Sequence, residues 1–164
     1  MVLILGMAAT VAIPDIAASR SYKLDLAARD FAAAMRFARD EAMRLGSPRG
    51  FNIQSAARRI RVMRLDLSVS PPTLNYDVYD PVSKKLYDID LAASSIAAAE
   101  VVSLNSTFRG ICTQPGEIYF DSTGTARCAN PETVLVSQFS ISLGLDNDSR
   151  SIILDGITGR VTVQ

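Results

Sequence analysis

The chain has 164 residues, of which 48% are hydrophobic and 21% charged, a composition typical of one folded domain rather than of a disordered segment. Its 17 basic and 17 acidic residues cancel, so the whole chain has no positive field that would hold a polyanion such as nucleic acid. Histidine is absent, and with it the commonest general base near neutral pH and the commonest metal ligand.

The first 13 residues, Met1 to Ile13, carry no charge, and Pro14 and Asp15 end this apolar run. A run of this length is too short to cross a bilayer, which takes about 20 residues. Three interpretations are open at this point: a buried core helix, a signal peptide without its usual basic end, or part of a membrane anchor. No glycine or loop cluster separates Ile13 from Leu24, so Pro14 predicts a kink within one continuous helix.

The segment after this kink has the period of an amphipathic helix. Apolar residues recur there at steps of three and four, and Gly46, Ser47 and Pro48 predict that the helix ends at residue 46. This apolar stripe is expected to pack against a sheet. Its members are Leu24, Ala28, Phe31, Met35, Ala38, Ala42 and Leu45.

After Pro48 the pattern changes from helical spacing to the alternation of strands. One long helix followed by many antiparallel strands predicts an α+β fold, with the amphipathic part of the helix lying on the sheet. The predicted strands are Phe51 to Ile53, Ile60 to Leu67, Leu74 to Asp80, Lys85 to Leu91, Val101 to Leu104, Glu117 to Asp121, Thr125 to Cys128, Val134 to Leu143, Ser151 to Leu154 and Arg160 to Val163.

The residues give no sign of catalysis or of a bound cofactor. There is no histidine to activate a serine, no nucleophile elbow and no phosphate-binding glycine loop. The acidic run Asp146 to Asp148 lacks the spacing of a calcium loop and is interpreted as a solvated turn. Cys112 and Cys128 would be free thiols in a reducing compartment, whereas their spacing allows a disulfide in an oxidising one. We predict no catalytic, cofactor or metal residues.

Four stretches of the sequence resemble type IV pilin-like proteins, in particular minor pseudopilins of the GspH/FimT group. LILGMAATVAIP, from Leu3 to Pro14, is similar to the family's hydrophobic stretch, and FARDEAMRLG, from Phe37 to Gly46, is similar to the amphipathic end of its helix. IYFDSTGTA and ILDGITGRVTV, from Ile118 and Ile153, resemble its strand-turn-strand and its closing hairpin. The middle of the chain matches only in being rich in strands.

The resemblance implies a pilin-like fold, with a helix over residues 1–46 and a β-rich periplasmic head over residues 47–164. The hydrophobic part of the helix, residues 1–20, would anchor the chain in the bacterial inner membrane and then pack among sister helices, while residues 21–46 form the amphipathic part. The residues expected to make these membrane and bundle contacts are Val2, Leu3, Ile4, Leu5, Gly6, Ala8, Ala9, Val11, Ile13 and Pro14.

The implied function is that of a minor pseudopilin in the type II secretion pseudopilus, which serves protein export. Its implied partners are other major and minor pseudopilins, inner-membrane lipid before assembly, and exported proteins. A periplasmic head also favours the disulfide between Cys112 and Cys128, which would close a loop of fifteen residues. The family's leader and G/F-T-x-x-E motif are absent from the sequence. We expect that the start codon was assigned too late and that both segments are encoded upstream of Met1.

Two other functions remain open. One is a minor type IV pilin that serves pilus assembly or DNA uptake, for which the C-terminal region offers only Arg150 and Arg160 as basic contacts. The other is a secreted β-rich binding domain.

Overall fold

The structure, a computed structural model, describes residues 16–93 and 99–164, without the side chains of residues 16–20 and 104. The predicted membrane and bundle contacts from Val2 to Ile13 and the kink at Pro14 lie outside the described residues and stay predictions. Within the described ranges, no helix is both long enough and apolar enough to cross a membrane.

The single helix of the described residues, α1, runs from Ile16 to Leu45. It ends where Gly46 adopts a φ of +61°, the left-handed conformation that commonly closes a helix. Six of the seven residues in the predicted packing stripe, from Leu24 to Ala42, are fully buried. Leu45 is the exception at 44% exposure, because the chain reverses direction directly after it.

The buried face of α1 is wider than the predicted stripe. Ala27, Ala32 and Ala34 are also fully buried, which extends the buried arc to about 160° at 100° per residue. The reason is that α1 packs on two sheets at once, and small alanine side chains let both approach closely. The prediction of a single stripe on a single sheet was therefore too narrow.

The first sheet has six strands, in the order β3-β2-β1-β6-β7, with β4 also paired to β2. Its strands are β1 (Arg49–Gln54), β2 (Arg59–Asp66), β3 (Thr73–Asn75), β4 (Asp88–Asp90), β6 (Glu117–Phe120) and β7 (Ala126–Cys128). All these pairings are antiparallel.

The second sheet has four antiparallel strands in the order β10-β9-β8-β5. These are β5 (Glu100–Phe108), β8 (Val136–Leu145), β9 (Asp148–Asp155) and β10 (Val161–Val163). One apolar core lies between α1 and the inner faces of both sheets, where Phe51 packs against Phe120 of the first sheet and Phe139 of the second. A smaller cluster around Met63 and Tyr119 lies apart from this core.

The strands predicted at Leu74 to Asp80 and Lys85 to Leu91 are largely wrong. Only two residues of the first region and three of the second pair with β2, and a single bridge joins Tyr79 to Leu86. Both short strands lie along the same edge of β2, β4 beside its first residues and β3 beside its last. Only Val62 and Met63 of β2 separate the two pairings, so neither strand can extend far along this edge, and the residues between them form a projecting loop.

The hairpin of β8 and β9 is longer than predicted. The register runs without interruption from Gln138 opposite Asp155 to Leu145 opposite Asp148, so only two residues form the turn. Asp146 has a φ of +55°, as a tight hairpin turn requires. The acidic run is thus a turn at the end of a hairpin, as interpreted from the sequence.

Candidate assembly surfaces

The two flanks of α1 differ in how the head meets them. The first, here called the closed flank, carries Asp25, Arg36, Arg39 and Met43, which lie on one side of the buried face at 100° per residue. The guanidinium of Arg36 donates a hydrogen bond of 3.0 Å to the carbonyl of Val161 in β10. The second sheet is therefore fastened to this side of the helix.

Two glycines from separate loops meet at Arg39. A Cβ placed on Gly159 would lie 2.4 Å from the carbonyl oxygen of Gly124 and 2.5 Å from Nε of Arg39. Gly124 is also tight, though less so, since its Cβ would lie 2.9 Å from the sulfur of the flexible Met43 side chain. Both glycines have positive φ, +81° at Gly124 and +65° at Gly159. The loops approach the helix this closely because they lack side chains here.

This meeting point explains why separate stretches of the sequence resembled one family. Arg39 and Met43 belong to FARDEAMRLG, Gly124 to IYFDSTGTA and Gly159 to ILDGITGRVTV. A further backbone link joins the last two, because the amide of Ala126 donates to the carbonyl of Gly156 at 2.8 Å. The three motifs thus pack together at one place on the helix.

The two arginines of the DNA-binding alternative have different surroundings. Nε of Arg150 lies 2.5 Å from the carboxylate of Asp25, and its Nη2 donates to Ser21 at 3.2 Å. Arg160 is exposed, and its side chain has no hydrogen bond or ion pair within the described part of the chain. Since Arg150 already pairs with a carboxylate, the structure does not bring the two together as a free basic patch.

The cysteines are joined by a disulfide. Cys112 and Cys128 are 5.9 Å apart between Cα atoms, a normal separation for this bond. This confirms the disulfide that the resemblance favoured. The bond joins the loop after β5 to β7, and the first residue of β7, Ala126, donates the backbone hydrogen bond to Gly156.

The opposite side of α1, here called the open flank, carries Asp30, Phe37 and Glu41. It faces the loop between β3 and β4, residues 76–87, here called the projecting loop. Phe37 stacks on Tyr87 with ring centroids 4.8 Å apart, which fastens the base of the loop to the helix. The carboxylate of Asp80 accepts hydrogen bonds from the amide of Val82 and the hydroxyl of Ser83, which fix the tip.

The tip of the projecting loop exposes apolar side chains. Tyr79 is 59% exposed, Val82 88% and Leu86 50%. A single exposed apolar residue is ordinary, but a group of three on one ordered loop is typical of a surface that another protein covers.

A pocket of about 290 Å³ lies between the open flank and the start of the projecting loop. Three arginines line it, Arg44, Arg49 and Arg64, together with two carboxylates, Glu41 and Asp77. Arg44 binds Glu41 through two hydrogen bonds of 2.8 and 3.0 Å, and Arg64 binds Asp77 at 2.9 Å. Both carboxylates are thus engaged by the other two arginines.

Arg49 has no carboxylate within ion-pair distance in the described parts of the chain, and it donates only to the carbonyl of Pro48, at 3.0 Å. Burial, and then the neighbouring charge of Arg64, lower the pKa of the Arg49 guanidinium. The pocket therefore contains an uncompensated positive charge in a half-buried position.

A second pocket, of about 330 Å³, lies at the Asp30 end of the open flank. Asp30, Asp80 and Asp88 line it, with Lys85 as its cation. Burial raises the pKa of the Asp30 carboxyl, for which the described residues provide no hydrogen bond or ion pair. Asp88 pairs with Arg59, and the residues described hold no group of three potential ligands able to bind a metal ion.

Sequence reasoning missed Arg49, Asp30 and the projection of the loop between β3 and β4 away from the sheet. Alternating apolar residues in LNYDVYD and KLYDIDL predict two strands joined by a hairpin loop at Asp80 to Ser83. A short hairpin does form there, since Tyr79 is bridged to Leu86 and the amide of Tyr87 donates to the carbonyl of Val78. A helical wheel offered one usable signal: Phe37 lies outside the predicted stripe, where a large aromatic residue needs a partner from elsewhere in the chain.

The chain matches the family of the type II transport protein GspH over residues 27–159. No curated protein matches it. Among solved structures, the minor pseudopilin EpsH of the type 2 secretion system of Vibrio cholerae is 14% identical, with a TM-score of 0.58 over 87% of this chain and 96% of EpsH.

The type IV minor pilin FimU of Pseudomonas aeruginosa is 12% identical, with a TM-score of 0.52 over 89% of this chain and 91% of FimU. At these identities the structures show a shared pilin-like fold, which confirms the predicted α+β class. The family match covers α1 from Ala27 and almost the entire β-rich head, including all the glycines of the closed flank. The chain therefore belongs to the GspH family of type II transport proteins.

Proposed function

We propose that the chain is a minor pseudopilin of a type II secretion system, a structural component that acts by assembly and not by catalysis. The observation that carries this proposal is the GspH family match over residues 27–159, which includes the helix and the head together. The fold shared with EpsH supports it.

The proposed location is the bacterial inner membrane, with one apolar helix in the membrane and the head in the periplasm. The disulfide between Cys112 and Cys128 supports a periplasmic head, because such bonds persist in oxidising compartments. The apolar run from Met1 to Ile13 would supply the anchor and later pack against sister helices in the pseudopilus.

The proposed partners are other major and minor pseudopilins, contacted by helix and head, with inner-membrane lipid before assembly. Exported proteins are a further proposed contact of the head. The open flank of α1 supports contacts by the head, because it combines exposed apolar residues with uncompensated charge.

The type IV pilin alternative has one observation in its favour, the fold shared with FimU. Its DNA-uptake form has less support, because Arg150 pairs with Asp25 and leaves Arg160 as the exposed cation of that region. A secreted binding domain has no observation that favours it over a pseudopilin.

The experiment is deletion of the gene in its own bacterium, followed by complementation with the full chain. We expect deletion to reduce the amount of secreted protein in the medium and to increase its amount in the periplasm, and we expect complementation to reverse both. Pilus formation and DNA uptake are measured in the same strains. Unchanged export, with loss of pili or of DNA uptake, would overturn the proposal in favour of the type IV pilin alternative.

A further inference from the structure

We propose that the pocket around Arg49 is a docking site for an acidic side chain, Asp or Glu, of a neighbouring pilin-type subunit. The inference rests on the proposed function and adds to it a surface, a residue and the chemistry of the contact.

The charge of the pocket determines the kind of ligand. Three arginines face two carboxylates, and each carboxylate is already bound by Arg44 or Arg64. One additional carboxylate would balance the charge and give Arg49 the partner that it lacks. A planar guanidinium matches the two oxygens of a carboxylate, so the contact would be directional as well as electrostatic.

The position of Arg49 makes this contact stronger than one on an open surface. Its side chain is half-buried between α1 and the projecting loop, where water screens charges less than it does at the surface. Arg49 is also the first residue of β1, directly opposite Phe120 in β6, so the sheet fixes its backbone. Little backbone freedom would therefore be lost on binding.

The rim of the pocket favours a protein over a free anion. Val78, Tyr79 and Pro81 line the pocket beside the charge, and Tyr79 is 59% exposed; Val82 and Leu86 add exposed apolar surface elsewhere on the same loop. Exposed aromatic residues next to arginines are typical of protein interfaces, in which a polar contact is surrounded by apolar ones. A small inorganic anion would leave this apolar rim uncovered.

The test uses the full chain, produced at its natural level in its own bacterium, with the photoreactive residue p-benzoylphenylalanine in place of Tyr79. We expect irradiation to link position 79 to another pilin-type subunit, at a peptide that contains Asp or Glu. No link, a link to a protein of another class, or a peptide without an acidic residue would overturn the proposal. This arm leaves Arg49 unchanged and so does not depend on how an Arg49 variant folds.

A second arm changes the charge. With Arg49→Glu we expect the link from position 79 to fall by about tenfold, and with Arg49→Lys by less, because lysine keeps the charge but not the fork of donors. The matched control is Arg109→Glu, an exposed arginine that does not line this pocket and whose change should leave the link intact. Replacing the linked acidic residue of the partner by Arg should restore the link to Arg49→Glu. An unchanged link in Arg49→Glu, or a failed restoration, would contradict the proposal.

A third arm separates this inference from the proposed function. The same photoreactive residue is placed at Tyr22, which lies near the start of α1 and is 69% exposed. Links from position 22 to pilin-type subunits, combined with none from position 79, would reject the pocket and keep the pseudopilin. Absence of links to pilin-type subunits from both positions would reject both.

Discussion

The closed and open flanks of α1 meet the same head in opposite ways. On the closed flank, glycines bring backbone against Arg39 and Met43 with no space for a single added carbon atom. On the open flank, the projecting loop touches the helix through the Phe37 and Tyr87 rings and leaves two charged pockets beside them. The difference indicates that close packing on the closed flank maintains the fold, and it supports the proposal that the open flank contacts other subunits.

The largest effect should come from filling the closed flank. Gly159→Ala is expected to lower the free energy of unfolding by about 4 kcal/mol, because the new Cβ meets the carbonyl of Gly124 in a left-handed backbone conformation. The measurement is a urea titration of the full chain in mild detergent, with unfolding monitored by circular dichroism.

Gly46→Ala is the matched control for this change. Gly46 has nearly the same φ, +61°, but an added Cβ meets nothing within 4 Å. It should therefore cost only the left-handed strain, about 1 kcal/mol. Equal losses for the two variants would show that close packing on the closed flank does not contribute.

The disulfide provides a second way to loosen the closed flank. Replacing Cys112 and Cys128 together by Ser should lower the free energy of unfolding by about 3 kcal/mol, because the unfolded chain gains the freedom of an open loop. Reducing the wild-type chain with dithiothreitol should have a similar effect and should not affect the double variant. A double variant as stable as the wild type would show that closing this loop does not stabilise the fold.

Neither flank was predicted as a surface, but the sequence carries more local signal for the closed flank than for the open one. Gly124, Gly159 and FARDEAMRLG carried local signals, because a required glycine or a helix stop depends on few neighbours. The projecting loop depends instead on competition between β3 and β4 for one edge of β2, which no local pattern shows. Arg49 was missed for the same reason, since its pocket is built from α1, β2 and the projecting loop.

The smallest effect should come from Asp30 on the open flank. Because burial raises the pKa of its carboxyl, the ionised form destabilises the folded state at neutral pH. Asp30→Asn should therefore raise the free energy of unfolding at pH 7 by no more than about 1 kcal/mol, since the carboxylate is only half-buried. This gain should disappear as the pH falls below 3.8, the ordinary pKa of the group, where wild-type Asp30 is protonated in both states.

To check this prediction, the stabilities of Asp30→Asn and of the wild type are compared by thermal unfolding across this pH range. A difference that stays constant with pH would mean that the substitution acts through packing and not through the charge.

The most direct test of the contrast between the flanks is the amount of secreted protein exported by cells carrying Arg49→Glu, compared with cells carrying Arg109→Glu at equal levels of folded chain. The open flank is proposed for assembly and not for stability, so export should fall with Arg49→Glu and remain at the wild-type level with Arg109→Glu. Equal export by the two strains would contradict the assignment of the open flank to assembly.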